Sequence, residues 1–168
     1  YDDPDRDSVL DDARTDLQPY EEAARHYGNV QSTWQERGGI KNWTGTDAVV
    51  ALNTHFKMRN PREAMNISDN EAIEKSAAYF GIVGEELEKL MSGQKIGQEK
   101  LLEILNSIQT LKKQRQKEYK QTQGYYEGRL ARAGMDAREM RPSSQFDPMT
   151  GLPDLPQPQQ QPAAPAAP

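Results

Sequence analysis

The side chains best suited to chemistry in this chain are cations gathered in one run. Lys112, Lys113, Arg115, Lys117 and Lys120 fall within nine residues, opposed only by Glu118, so the run carries about +4. Tyr119, Tyr125 and Tyr126 lie inside and just after it. Ammonium and guanidinium groups neutralise phosphates, and aromatic rings stack on bases. The pattern is therefore that of a strip contacting nucleic acid or an acidic partner. The same residues also describe a solvated helix face with i,i+4 ion pairs. This plainer account weighs more, and the two stay open here.

Other candidates are thinner. His26 and His55 fall in different predicted helices, and neither has an acidic or histidine partner at metal-ligand spacing. His55, beside Phe56, reads as a packed or surface histidine. Glu85, Glu86 and Glu88 are neighbouring carboxylates, but a catalytic pair needs a cleft that raises one pKa. On a short amphipathic helix they face water. Asn42-Trp43-Thr44 matches a glycosylation acceptor, a short and common pattern that nothing else here supports. No nucleophile elbow, phosphate-cradling glycine loop or zinc motif occurs. The expectation is a protein that is not an enzyme, with no metal, no cofactor and no small-molecule substrate.

Composition narrows the class further. Of 168 residues, 35% are hydrophobic and 28% charged, and mean hydropathy is −0.96, enough for a small helical core. The absence of cysteine excludes disulfides and thiolate metal sites. No apolar run approaches a membrane span, and no signal-peptide pattern opens the chain. The first residue is Tyr1 rather than Met, and the opening reads as mid-chain text, which suggests a segment of something longer. A net charge of −5 hides a gradient, because the first 22 residues carry nine acids against two arginines. Either this acidic start pairs with the basic run, or both are solvated. An overall acidic chain argues against sequence-specific DNA binding.

The element that must carry the cationic run is a long helix. Gln98 to Arg132 contains no proline and is rich in Leu, Glu, Lys, Gln and Arg, which predicts a rod of roughly 50 Å. Its first half shows an apolar face of Leu101, Leu102, Ile104, Leu105, Ile108 and Leu111. After Leu111 the stripe fails. The second half is then expected to be exposed, or buried only against another chain.

The rest of the chain supplies short helices to dock on the rod. Tyr1 to Asp7 reads as loop, and Ser8 as the cap of a helix with Val9, Leu10, Ala13 and Leu17 on one face. Pro19 is expected to break it. A second helix carries Tyr20, Ala23, Ala24, Tyr27, Val30 and Trp34 and ends at Gly38-Gly39. Thr46 should cap the next, with Ala48, Val49, Leu52, Phe56 and Met58 buried, and Asn60-Pro61 should stop it. Ser68 to Glu71 form a capping box ahead of Ile73, Ala77, Tyr79 and Phe80. Gly81, and after a short helix Gly93, mark the following ends. No stretch alternates as a strand would.

Past Gly134 the composition changes to proline and glutamine. Such a segment cannot bury enough apolar surface to order alone, so an extended polyproline-like path would need a partner surface. Its P-x-x-P matches, such as Pro153 to Pro156, are expected by chance. The fold class is thus all-α, with short helices packed on one long C-terminal helix and an extended tail. Three regions follow: 1–45, acidic helices and a loop; 46–134, the helical module with helix 98–132; and 135–168, the tail.

One set of segments has a wider resemblance. "LNTHFKMRNP" (Leu52 to Pro61), "REAMNISDNEAIEKSA", "LEKLMSGQKIGQEKLLEILNSI" and "YKQTQGYYEGRLARAGMD" follow one another, with "FDPMTGLP" (Phe146 to Pro153) beyond them. Together they resemble a helical module of tailed-bacteriophage virion structural proteins, the DNA-ejection, internal-virion and tape-measure-like chains. Lys57-Met58, Pro61, Arg62-Glu63, Leu90, Gly93, Tyr119, Tyr126, Gly134 and Asp136 occupy the family's places, while Asn60 stands where aspartate is more usual. The likeness covers about half the chain and rests on helix ends and spacings. It implies an oligomeric virion component acting in genome delivery. The implied partners are further copies, the portal, tail or other ejection proteins, and genomic DNA contacted non-specifically. The implied location is the particle, and after ejection the host envelope. A head-assembly scaffolding or adaptor protein and a helical DNA-binding module are the rival classes. In each case Lys112, Lys113, Arg115, Lys117, Lys120, Tyr119, Tyr125 and Tyr126 are the expected contact residues.

Overall fold

A computed structural model describes residues 4–136 and 151–156. These form six helices: α1 (Pro4–Arg37), α2 (Gly45–Arg59), α3 (Pro61–Ala64), α4 (Asp69–Tyr79), α5 (Gly84–Met91) and α6 (Gln98–Arg132). There is no strand among the described residues. None of these helices is long and apolar enough to cross a membrane. The fold is therefore all-α, with the short helices packed on one long C-terminal helix.

The first helix departs from expectation. Pro19 lies inside α1, which runs unbroken for 34 residues. Pro4 starts it, at a position where a missing N–H costs nothing. The buried stripe Val9, Ala13, Leu17, Ala24, Tyr27, Val30 and Trp34 passes straight through the proline. A mid-helix proline costs about 3 kcal/mol. Burying a large apolar side chain returns about 1.5–3 kcal/mol, so the flanking residues outweigh it several times over.

The capping of α2 also differs. Its N-cap is Thr44, not Thr46. Thr44 Oγ1 accepts the Asp47 N–H at 3.2 Å, and Asp47 accepts the Thr44 N–H at 2.9 Å. Arg37, the last residue of α1, donates to the same Asp47 carboxylate at 2.9 Å and so ties the end of α1 to the start of α2. Gly45 follows the cap because nothing larger fits: a Cβ there would run into the carbonyl oxygens of Leu90 and Gln94. Asn60-Pro61 ends α2 as expected, and Pro61 opens the one-turn α3. Ser68 caps α4 by accepting the Glu71 N–H at 3.2 Å.

The largest of three apolar clusters among the described residues joins α1, α2, α4, α5 and α6. Tyr27, Val30 and Trp34 of α1 pack with Ala48, Leu52 and Met58 of α2, Ile73 and Ala77 of α4, and Leu101, Ile104, Leu105 and Ile108 of α6. Residues before and after position 45 share this core, so the connection there joins two packed helices. The short helix α5 contributes Leu87 and Leu90.

α1 and α6 run antiparallel. Tyr27 faces Gln109, Tyr20 faces Tyr119, Asp16 faces Tyr126 and Asp12 faces Arg129. The second half of α6 thus has a partner within the chain, contrary to expectation. Val9 and Ala13 bury Tyr126 and Leu130 in a second apolar cluster, which Leu10 and Met135 cover. Past this cluster α6 ends at Arg132, and Gly134, with a φ of 75°, lets the Met135 N–H return to the Leu130 carbonyl at 2.8 Å.

Candidate functional site

The eight candidate contact residues do not act as one strip. Helical phase divides them, and the inward set is consumed by the fold. Arg115 donates to the Met58 carbonyl at 2.7 Å and the Arg59 carbonyl at 3.3 Å, and it pairs with Glu118. A guanidinium here satisfies the last carbonyls of α2 and suits the negative end of its dipole. Tyr119 is buried, edge-on to Tyr20 at 6.2 Å. Tyr126 is buried too, and its hydroxyl donates to Asp16. Burial, then the Asp16 carboxylate, raises its pKa to about 12. Neighbouring Arg129 pairs with Asp12 at 3.4 Å. The acidic start of the chain therefore pairs with the far end of α6.

Lys112 is the sharpest correction. Only 2% of it is exposed, so it cannot serve as a surface cation. Its ammonium forms an ion pair with Asp154, donates to the Leu152 carbonyl at 3.4 Å and lies 5.4 Å from the centre of the Tyr27 ring. A cation out of water needs such partners. The carboxylate and the carbonyl come from Gly151 to Pro156, a short strap lying between α1 and α6.

The strap is held by side chains aimed into this groove. Gln109 donates to Asp154 at 2.8 Å and accepts the Leu155 N–H at 2.9 Å. The Leu155 N–H also reaches the Tyr27 hydroxyl at 3.1 Å. The single Tyr27 proton is shared between the Pro153 carbonyl at 2.9 Å and Gln109 Oε1 at 3.1 Å. Gln31 reaches the same Pro153 carbonyl from the rim at 3.5 Å. The Leu155 side chain is buried, and Trp34, Leu102 and Leu105 line the small cavity beside it. The bond from Lys112 holds the Asp154 carboxyl below its usual pKa despite some desolvation. Burial raises that of Tyr27.

Tyr27 reads from the sequence as packing, and nothing in the apolar spacing singles out Gln109. Leu152 and Leu155, which continue the three-residue spacing of Phe146 and Met149 in a proline- and glutamine-rich tail, were the available signal for the strap. The surrounding tail segments 137–150 and 157–168, including Phe146 to Thr150, lie outside the described residues.

What remains on the surface is Lys113, Lys117 and Lys120, spaced i, i+4, i+7 on the outer side of α6. Tyr125 accompanies them at 57% exposure, edge-on to Tyr126. No ion pair engages these three lysines among the described residues.

The two histidines sit in different surroundings. His55 is fully buried between Ser76 Oγ at 2.9 Å and Ser107 Oγ at 3.0 Å, with the Phe80 ring 4.6 Å away. Burial, then Arg59, lowers its pKa to about 4, so it is neutral at pH 7. His26 borders a cleft with Glu22, Arg25, Lys57 and Asp69, and burial lowers its pKa as well. No group of three His, Cys, Asp or Glu is placed to hold a metal among the described residues. Glu85, Glu86 and Glu88 are exposed on α5. In Asn42-Trp43-Thr44, the Trp43 indole is buried and donates to the Gly39 carbonyl at 2.8 Å, while Thr44 is occupied as the cap of α2. Compared with protein-family models, curated proteins and solved structures, the chain matches none.

Proposed function

We propose that this chain is a structural module of a tailed-phage virion, part of an ejection or internal-virion protein that assembles in several copies and serves genome delivery. The observation that carries the reading is the antiparallel pairing of α1 with α6 from Asp12–Arg129 to Tyr27–Gln109. It spends two helices of 34 and 35 residues on a frame whose polar groups face one another. Tyr, Gln, Lys and Arg side chains of these helices bond to helix ends, to each other and to the strap. Such a frame fits a part whose work is shape and attachment. The resemblance of the Ala48 to Asp136 segments supplies the virion context.

Mass spectrometry of purified particles tests this. The chain, alone or within a longer parent, is expected in mature virions. Its presence only in immature heads would favour the scaffolding class, and absence from both overturns the reading.

A second reading, contact with the genome, rests on the Lys113, Lys117 and Lys120 stripe with Tyr125. Three phosphate contacts predict a slope of log affinity against log salt of about −2.7 on duplex DNA. Replacing the three lysines with glutamine should flatten it, and an unchanged slope excludes this face.

A further inference from the structure

A cleft of about 340 Å³ opens where α1, α2 and α3 meet the start of α4. A water's share of liquid volume is about 30 Å³, so the cleft has room for a body of roughly ten water-sized groups. Much of its wall is apolar: Pro19 and Ala23 of α1, Pro61 of α3, and Met65 and Ile67 beyond it. The charges are Glu22 and Arg25 of α1, Lys57 of α2 and Asp69 of α4, and His26 of α1 adds an imidazole. α3 brings no charged side chain to the lining.

The two acids are already engaged. Glu22 pairs with Arg25 at 2.7 Å, and Asp69, 70% exposed, pairs with Lys57 at 3.4 Å. Two donors have capacity to spare. The Lys57 side chain is only 11% exposed, and of its three N–H groups one goes to the Ala64 carbonyl at 3.2 Å and one faces Asp69. A third remains. The His26 carbonyl accepts from Thr54 at 3.2 Å, but nothing bonds the His26 ring among the described residues. Either tautomer of a neutral imidazole has one N–H to give, and the imidazolium has two. Spare donors among apolar walls call for an oxyanion on an apolar body. We propose that this cleft binds a small organic carboxylate, its oxygens on Lys57 and His26 and its apolar part against Pro19, Pro61 and Met65.

Binding takes up a proton. With His26 neutral, Arg25 and Lys57 balance Glu22 and Asp69; with His26 protonated, the lining carries one positive charge and matches a monoanion. Within the chain, burial, then Arg25 and Lys57, hold the His26 pKa below its ordinary value, against the weaker pull of Asp69 and Glu22. A carboxylate beside the ring is an opposite charge and raises that pKa. Affinity therefore rises as pH falls through the raised, bound value and levels off below the free one.

The test uses the whole chain with phenylacetate as the probe. Its two histidines give two imidazole signals in proton–carbon NMR, so His26 and the buried His55 are read side by side. Saturating phenylacetate should move the titration midpoint of His26 up by about one pH unit or more and leave His55 where it was. By calorimetry, phenylacetate should bind at least tenfold more tightly at pH 5 than at pH 8. Phenylacetamide, which lacks the charge, and acetate, which lacks the ring, should each bind at least tenfold more weakly at pH 5. His26→Phe keeps the ring's bulk, breaks no side-chain hydrogen bond of the fold, and should flatten the pH dependence. Lys57→Met should weaken binding at least tenfold; if it loses helical circular dichroism, His26→Phe decides. No binding at millimolar probe, equal binding of the amide, or a pH dependence that survives His26→Phe overturns the site.

Discussion

Acid should unfold this protein partly through one imidazole. His55 is shielded from water and bonded by Ser76 and Ser107, with Tyr79 and Phe80 against its ring. Its pKa falls from 6.5 to about 4 on folding. Because the folded value is depressed, the unfolded chain binds the proton first. The stability held by neutral His55 is complete above pH 6.5 and is lost as pH falls towards 4. At 1.36 kcal/mol per unit, the full difference is about 3 kcal/mol, and about 2.5 kcal/mol of it is gone by pH 4.5.

The perturbation is His55→Gln, which keeps polar atoms facing the two serines but cannot titrate. The assay is urea unfolding of both proteins from pH 8 to pH 4.5, with the difference in unfolding free energy plotted against pH. Other titrating groups, including His26 and Glu21, act in the same window, but they are common to both proteins and cancel. The variant should be less stable at pH 8 and should lose less on acidification, by about 2.5 kcal/mol at pH 4.5. A difference that stays flat within about 0.5 kcal/mol would refute the buried, neutral assignment.

Three further changes probe the frame. Gly45→Ala should lower stability by about 1–3 kcal/mol, read as a melting-temperature drop of several degrees, because Leu90 and Gln94 oppose the new Cβ with backbone rather than a movable side chain. Pro19→Ala restores an N–H to the Thr15 carbonyl inside α1 and should raise the urea midpoint, by on the order of 1 kcal/mol after the unfolded chain's gain in freedom; a lowered midpoint would show that the ring itself packs usefully. A double-mutant cycle of Tyr126→Phe with Asp16→Ala should give a coupling of about 0.5–1.5 kcal/mol, whereas zero coupling would mean that α1 and α6 are not joined there.

Much of this architecture was legible because it obeys local rules. The bounds of α6 are those expected, since helix formers fill the interval and Gly97 and Gly134 flank it. The ends at Asn60-Pro61, Gly81 and Gly93 follow from backbone geometry that any reader of turns can apply. The failures share another cause. Pro19 breaks helices when the flanking segments have nothing to hold them, and here α6, some hundred residues away, holds both. The strap is the same case: Leu152 and Leu155 cannot order themselves, and the seat that orders them is assembled from residues of two distant helices.

The lysine run shows how close the sequence came to disclosing the rest. The stripe of α6 does not give out at Leu111; it changes chemistry. Leu101, Leu105, Ile108, Lys112, Arg115, Tyr119, Tyr126 and Leu130 follow one another in steps of three and four residues, with a single double step of seven, and they form one side of the helix. Leu111 is only partly buried, slightly out of that line. Counting apolar letters ends the stripe at the first lysine, whereas counting phase carries it to the helix end. Phase alone then sorts the cations, with Lys112 and Arg115 inward and Lys113, Lys117 and Lys120 outward. An inward lysine on a helix demands an acid from elsewhere in the chain, and Asp154, beside Leu155 and two residues after Leu152, supplies it. The burial of Lys112 and the seating of Asp154 are thus one fact seen from two ends. The strap therefore belongs to the fold of the single chain.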